Sequence, residues 1–379
     1  VRVFVIAGEP SGDKLGAALM AGLRELAPDT RFTGVGGEGM AAQGLTSLFP
    51  MSDLSVMGLA EVLPRLRLLR RRIRETAAAI AEAKPDLVVT IDSPDFCLRV
   101  LRAARAARPD LPVVHYVAPS VWAWRPGRAR KMAPLVDHVL ALLPFEPPYM
   151  EAAGMSCDFV GHPVVSEPRA TESEIAALRA RITGPIWLAL PGSRGGEIAR
   201  HAPRFGAGLA QVLPEGACVL VPTVRACAEQ MRAEVARWPF PARVLDDPGD
   251  KRAAFAGAEM AIAASGTVSL ELAASQTPMV IAYDLNPLTR WLAERLIRLD
   301  TVTLVNLVCE SRAIPECLGR NCTPERIAAS LQVLRDSAAA RVAQRQAMAL
   351  AMTRLGQGGE APGLRAAASV LRFMERHAR

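Results

Sequence analysis

Leu188-Ala-Leu-Pro-Gly-Ser-Arg-Gly-Gly-Glu-Ile198 decides the reading of this chain. Ile186 to Leu190 form a short apolar run that reads as a strand. Pro191, Gly192 and Ser193 make a turn, and the spacing predicts a helix from about Gly195. A helix begins with backbone N–H groups that have no intrahelical partner, and its dipole favours negative charge at that end. Arg194 adds a planar fork suited to a phosphate. The turn is therefore either an anion site or a plain connection with Arg194 in solvent. Downstream, Ala263-Ala-Ser-Gly-Thr-Val-Ser-Leu-Glu271 repeats the pattern. Ser265, Gly266 and Thr267 open a helix, and Glu271 falls one turn inside it. A carboxylate there can accept both hydroxyls of a ribose, or it can simply face solvent.

Working outward, strands are expected at 186–190, 217–221, 242–245, 259–263 and 279–282, with helices between them. That alternation predicts a doubly wound α/β domain. The first half predicts another. Val1 to Ile6, Asp86 to Ile91, Pro112 to Val117, Val136 to Leu142 and Cys157 to Val160 read as strands. Ala7-Gly-Glu-Pro-Ser-Gly-Asp13 is the first Gly-rich turn, and Leu15, Leu19, Leu23 and Leu26 follow at helical spacing. Gly8 and Gly12 would allow a ligand close to the backbone, with Ser11 beside them. Gly34-Val-Gly-Gly-Glu-Gly39 matches the dinucleotide fingerprint, but it is a lone match at the second βα turn and a weak sign of such a cofactor. A length of 379 residues suits two domains. The boundaries fall at 1–165 and 166–355, with a helix at about 360–379 that can return to the first.

Composition narrows the partners. The net charge is +7, which favours acidic ligands such as a nucleotide, a phosphorylated substrate or an anionic lipid. Aromatic residues are scarce and no basic run carries stacking residues, so nucleic acid is the weakest candidate. Seven cysteines with no CxxC pair read as reduced, mostly buried thiols, and the histidines form no metal motif. No run is long and apolar enough to span a membrane, and the first residues do not resemble a signal peptide.

Three segments of the first half carry further candidates. Asp92, in Asp92-Ser-Pro-Asp-Phe96, stands just past a strand end, where an open α/β sheet meets its ligand; helix capping by Asp92 or Asp95 is the alternative. Gly58 to Ala83 reads as a long helix with Val62, Leu66, Leu69 and Ile73 on one face and several arginines around it. It packs on the sheet with a solvated basic face or meets an anionic membrane, with Met57, Leu63 and Leu68 dipping into lipid, and the two are compatible if only part of the helix is buried. Trp122 and Trp124 belong to a rigid Pro-rich loop that lines a site or covers the core. In the second half, Asn306 sits alone in an apolar segment, where it can bond a ligand or a loop.

Taken in order, Ala7-Gly-Glu-Pro-Ser-Gly-Asp13, Ser55-Val-Met-Gly58 with Glu61-Val62, Ile91-Asp-Ser-Pro-Asp-Phe96, His115-Tyr-Val-Ala-Pro-Ser-Val-Trp-Ala-Trp124, Leu190-Pro-Gly-Ser-Arg194 and Ala264-Ser-Gly-Thr267 resemble the lipid-A-disaccharide synthase family, from residue 1 to about 325. The resemblance implies a GT-B fold, two Rossmann-like domains facing a central cleft, and an inverting transfer. The donor would be UDP-2,3-diacylglucosamine and the acceptor 2,3-diacylglucosamine 1-phosphate. It implies Asp92 as base, Arg194 at the donor diphosphate, Glu271 at the ribose and a functional role for Asn306. Ser193, Glu197 and Thr267 are plausible second contacts. With no DxD motif in the chain a metal is not implied, and no cofactor is expected. The expected location is cytoplasmic, peripheral on the inner face of the inner membrane of a Gram-negative bacterium, with self-association left open. One departure is Pro315-Glu-Cys-Leu-Gly319, where the family commonly has a Gln shortly after Pro-Glu-Phe-Leu. Any nucleotide contact from that Gln is in doubt here.

Overall fold

The computed structural model describes residues 1–54, 59–123, 127–286, 289–291 and 300–377, with only the backbone of 59–65. Met57, the 55–58 motif, Trp124 and the side chains of Val62 and Leu63 lie outside the described residues. The chain divides into two compact units, Val1–Ser166 with Gly358–Arg379, and Glu167–Gln357.

The first unit holds six parallel strands: β1 (Arg2–Ala7), β2 (Arg31–Val35), β3 (Leu87–Ile91), β4 (Val113–Tyr116), β5 (His138–Ala141) and β6 (Ser156–Phe159), in the order β2-β1-β3-β4-β5-β6. Alternate residues feed opposite faces. Phe4, Ile6 and Val88 enter one apolar cluster, and Val3, Val5, Leu87 and Val89 enter another. Both faces are thus covered, which is why these strands read as unbroken apolar runs. The strand order reverses between β1 and β3, so the ends of those two strands flank the switch point where ligands bind in such sheets.

The second unit holds β7 (Ile186–Leu190), β8 (Cys218–Pro222), β9 (Ala242–Leu245), β10 (Met260–Ala263), β11 (Met279–Tyr283) and β12 (Glu316–Leu318), all parallel. Their order is β12-β11-β10-β7-β8-β9, with the switch point between β7 and β10. The two Gly turns read from the sequence follow those two strands. The edge strand β12 was not expected from the sequence. It spans only three residues, too few for an alternation to show.

The last helix, Pro362–His377, belongs to the first unit. It packs against the helix Pro10–Leu26 at a glycine crossing: a Cβ on Gly22 would lie 2.8 Å from the Gly363 carbonyl oxygen, and one on Gly363 would lie 2.7 Å from that of Ala18. Buried His138 bridges Ser156 and Ser369 at 2.8 and 2.9 Å, and Ser369 donates to Asp158 at 2.6 Å. These polar contacts pin the last helix to β5 and β6.

Candidate active site

In the second unit, β7 stops at Leu190 and the helix Gly195–Leu209 begins after the turn. Gly192 has φ +133°, and a Cβ there would approach the Glu197 Cβ to 2.6 Å, so the turn needs glycine. No side chain caps the helix. The Ser193 N–H donates to Glu197 Oε2 at 3.2 Å, and Arg194 stands 3.6 Å from Oε1, its own side chain largely exposed. Space is open above Gly196, where an added Cβ would meet nothing within 4 Å.

The second turn mirrors the first. Gly266 has φ +140° and open space above its Cα. Thr267 precedes the helix Val268–Ala274 without capping it through its side chain. The two turns, with Pro222 to Val224, line one cavity of about 410 Å³. Ser193, Arg194, Glu197, Ser265, Gly266, Thr267 and Glu271 all line it, so seven residues singled out from the sequence are brought together. The sequence reading missed Lys251, which also lines the cavity and holds Glu271 Oε2 at 2.7 Å.

A buried histidine ties the first turn to the sheet. His201 Nδ1 lies 2.9 Å from the Pro191 carbonyl oxygen, and the Asp284 N–H donates to Nε2 at 3.1 Å. One neutral tautomer satisfies both bonds, and burial lowers the imidazole pKa below its ordinary value. The Asp284 carboxylate is itself buried between Arg204 and Arg290, each at 3.1 Å. The one sequence signal for His201 is its place in the apolar stripe of Ile198, Ala202 and Phe205.

In the first unit, Asp92 follows β3 at the switch point. It and Ser93 have φ of +50° and +43°, and Val117, at the end of neighbouring β4, has +85°. Non-glycine residues in this region are strained, and such residues gather at functional sites. The Asp92 N–H donates to the Tyr116 carbonyl at 2.9 Å, while its half-buried carboxylate has no hydrogen bond among the described residues. Neither Asp92 nor Asp95 caps the helix Pro94–Ala107 through its side chain. Gly8 faces this turn: a Cβ there would lie 2.7 Å from Ser93 Oγ. Gly12 packs toward the Ile91 carbonyl, 3.4 Å from its would-be Cβ. Their close approaches are to chain, and Ser11 beside them is exposed.

The Gly34–Gly39 turn is already filled. The buried Asp13 carboxylate accepts the N–H groups of Gly37 and Gly39 at 2.8 Å and of Met40 at 3.0 Å. A phosphate would have to displace it, so the fingerprint match carries no dinucleotide site. Asn306 is not among the cavity-lining residues. It is fully buried in the helix Leu304–Cys309, donating to the Ile314 carbonyl at 2.8 Å and accepting the Ile314 N–H at 3.0 Å.

The helix Leu59–Ala83 packs on the first sheet through its second half, with Ile73 against the core and Thr76 and Ile80 buried. Leu66, Leu68 and Leu69 are half-buried and outside the core clusters, between exposed Arg67, Arg70 and Arg71. No described helix is long and apolar enough to cross a membrane. Trp122 donates to Glu146 Oε1 at 3.2 Å. Glu146 also accepts the N–H groups of Leu142 and Leu143 at 3.2 and 3.0 Å, and burial pushes its pKa up to about 7.

Two doubly wound units, with an open cavity at a switch point of the second, have the architecture of the GT-B fold. The calicheamicin glycosyltransferase CalG4 matches the fold with a TM-score of 0.58 at 17% identity, over 100% of this chain and 99% of its own. A UDP-GlcNAc 2-epimerase from Neisseria meningitidis, solved bound to UDP-GlcNAc, matches at 0.65 and 11% identity, over 99% and 100%. In sequence, the lipid-A-disaccharide synthetase profile matches residues 3–362. The lipid-A-disaccharide synthase of Ruegeria pomeroyi is 60% identical over 98% of this chain and 95% of its own length. The chain belongs to the lipid-A-disaccharide synthetase family, the glycosyltransferases of lipid A biosynthesis.

Proposed function

We propose that this chain transfers 2,3-diacylglucosamine from UDP-2,3-diacylglucosamine to 2,3-diacylglucosamine 1-phosphate with inversion. The acceptor 6-hydroxyl attacks the anomeric carbon of the donor, and its proton passes to the Asp92 carboxylate. The bond from that carbon to the β-phosphate oxygen breaks, and UDP leaves with the electron pair. The products are the β-1,6-linked disaccharide 1-phosphate and UDP.

The observation that carries this reading is the cavity at the β7/β10 switch point, where two Gly turns meet Arg194 and Glu271. Charge developing on the diphosphate would meet Arg194 and the backbone N–H groups of the two turns, and Glu271 would take the ribose. On this reading the second unit is the UDP-sugar domain and the first serves the acceptor. A free carboxylate on strained backbone suits a base better than a structural Asp does. The acyl chains would meet the half-buried leucines Leu66 and Leu69 with Met57, Val62 and Leu63, at the anionic inner face of the inner membrane. Asn306 would act by holding the 301–314 segment beside the second sheet.

The test is UDP release from both acylated substrates in detergent micelles, on the unaltered chain and on Asp92→Asn. The expected result is turnover that falls by a factor on the order of 10² to 10⁴ in the variant, with UDP affinity unchanged. Equal turnover by both would return Asp92 to a structural role. No product from the folded unaltered chain would sink the assignment of substrates.

A further inference from the structure

The geometry assigns Lys251 as a donor-binding residue whose task is to neutralise Glu271, so that a carboxylate can read the sugar hydroxyls beside a diphosphate. The inference rests on the reading of this cavity as the donor site and adds a residue to it.

Two cations and two carboxylates line the cavity among the described residues: Arg194, Lys251, Glu197 and Glu271. Their formal charges cancel. The pairs are unequal. Arg194 stands a loose 3.6 Å from Glu197 and is 67% exposed, free to turn toward an incoming phosphate. Lys251 sits a close 2.7 Å from Glu271 Oε2, with both side chains about two-thirds buried. The helix Pro248–Gly257 sets its direction, because the ammonium also lies 5.2 Å from the centre of the Phe255 ring, one turn further on. Lys251 is therefore held by the Glu271 carboxylate and by the Phe255 ring.

A carboxylate oxygen has more than one acceptor direction. With Lys251 on Oε2, Glu271 keeps Oε1 and part of Oε2 for vicinal hydroxyls. Without Lys251 it stands as an uncompensated negative charge in a site meant for an anion, and the repulsion grows with the ligand's own charge. A residue that only shaped the pocket would affect every uridine ligand alike.

The experiment is titration calorimetry with UDP, UMP and uridine on the unaltered chain, Lys251→Met, Lys251→Arg and the double variant Lys251→Met/Glu271→Gln, each checked for folding by its melt. Lys251→Met is expected to raise the Kd for UDP by about tenfold, for UMP by less and for uridine by under twofold, with the differences shrinking at high salt. Lys251→Arg should keep most of the affinity. The double variant should bind UDP better than Lys251→Met alone, because the unpaired charge is gone. In turnover the loss falls on KM for the donor rather than on kcat. Equal losses for UDP and uridine, or a UDP Kd within twofold of the unaltered chain, would overturn the role of Lys251 while leaving the donor site standing. Failure of the unaltered chain to bind UDP would instead remove the donor site, and this role with it.

Discussion

The Gly34–Gly39 turn of the first unit and the Pro191–Arg194 turn of the second each meet a helix at a Gly-Gly-Glu run, Gly36 to Glu38 and Gly195 to Glu197, and end in opposite states. In the first, Asp13 reaches across from the preceding helix and takes three N–H groups. In the second, Glu197 takes only the Ser193 N–H, no side chain caps the helix, and the turn opens on a cavity. Glycine makes a nest of N–H groups available. Whether it binds a ligand depends on whether a neighbouring carboxylate already sits in it. The first unit fills such groups twice, since Glu146 does for the 142–143 turn and the Trp122 indole what Asp13 does for the glycines.

The largest effect should come from the open turn. Arg194→Ala is expected to slow transfer by a factor on the order of 100 or more, through lost stabilisation of the leaving diphosphate. A change under threefold in steady-state rate would remove Arg194 from the site and erase the contrast. Next, Asp13→Ala should cost about 1–3 kcal/mol of stability by denaturant unfolding, because three N–H groups lose a buried partner. Its UDP affinity should not move; a loss of UDP binding in the folded variant would mean that the filled turn matters to the donor after all.

A smaller effect concerns pH. The Glu146 carboxyl is raised from 4.5 to about 7 by burial, so the folded chain holds a proton that the unfolded chain releases earlier. Stability from this group is present below the unfolded value and is lost as pH rises through about 7. The melting temperature should fall by about a few degrees between pH 5 and 8, and Glu146→Gln should flatten that slope. An unchanged slope would show that the three N–H bonds keep Glu146 ionised throughout. Least of all in stability, Leu66→Ser with Leu69→Ser should shift the melt by only about a degree, because neither residue joins the core clusters. Binding to anionic vesicles should drop in the same variant. A large melt shift with vesicle binding intact would make this half of the helix a packed element like the other.

Much of this was legible in the sequence. Leu87–Ile91 and Ile186–Leu190 are buried throughout, and such strands announce themselves as apolar runs. The cavity's two turns were readable because strand, glycine and helix follow one another along the chain. What escaped was long-range pairing. Nothing local tells that Asp13 meets Gly37, that Lys251 meets Glu271 or that Glu146 meets the Trp122 indole, since each pair is joined only by the folded sheet. Asn306 shows the reverse. A lone polar residue in an apolar segment suggested a ligand or a loop, and the structure gives it the loop at Ile314.

The helix Pro362–His377 has a consequence for synthesis. The first unit is made from both ends of the chain, so the ribosome must finish the whole second unit before Phe373 and Ser369 can reach Leu19, Leu23 and His138. Until then the nascent first unit presents an uncovered apolar face, while the second unit has every residue it needs. The second unit is therefore expected to fold first and the earlier-made one to close last.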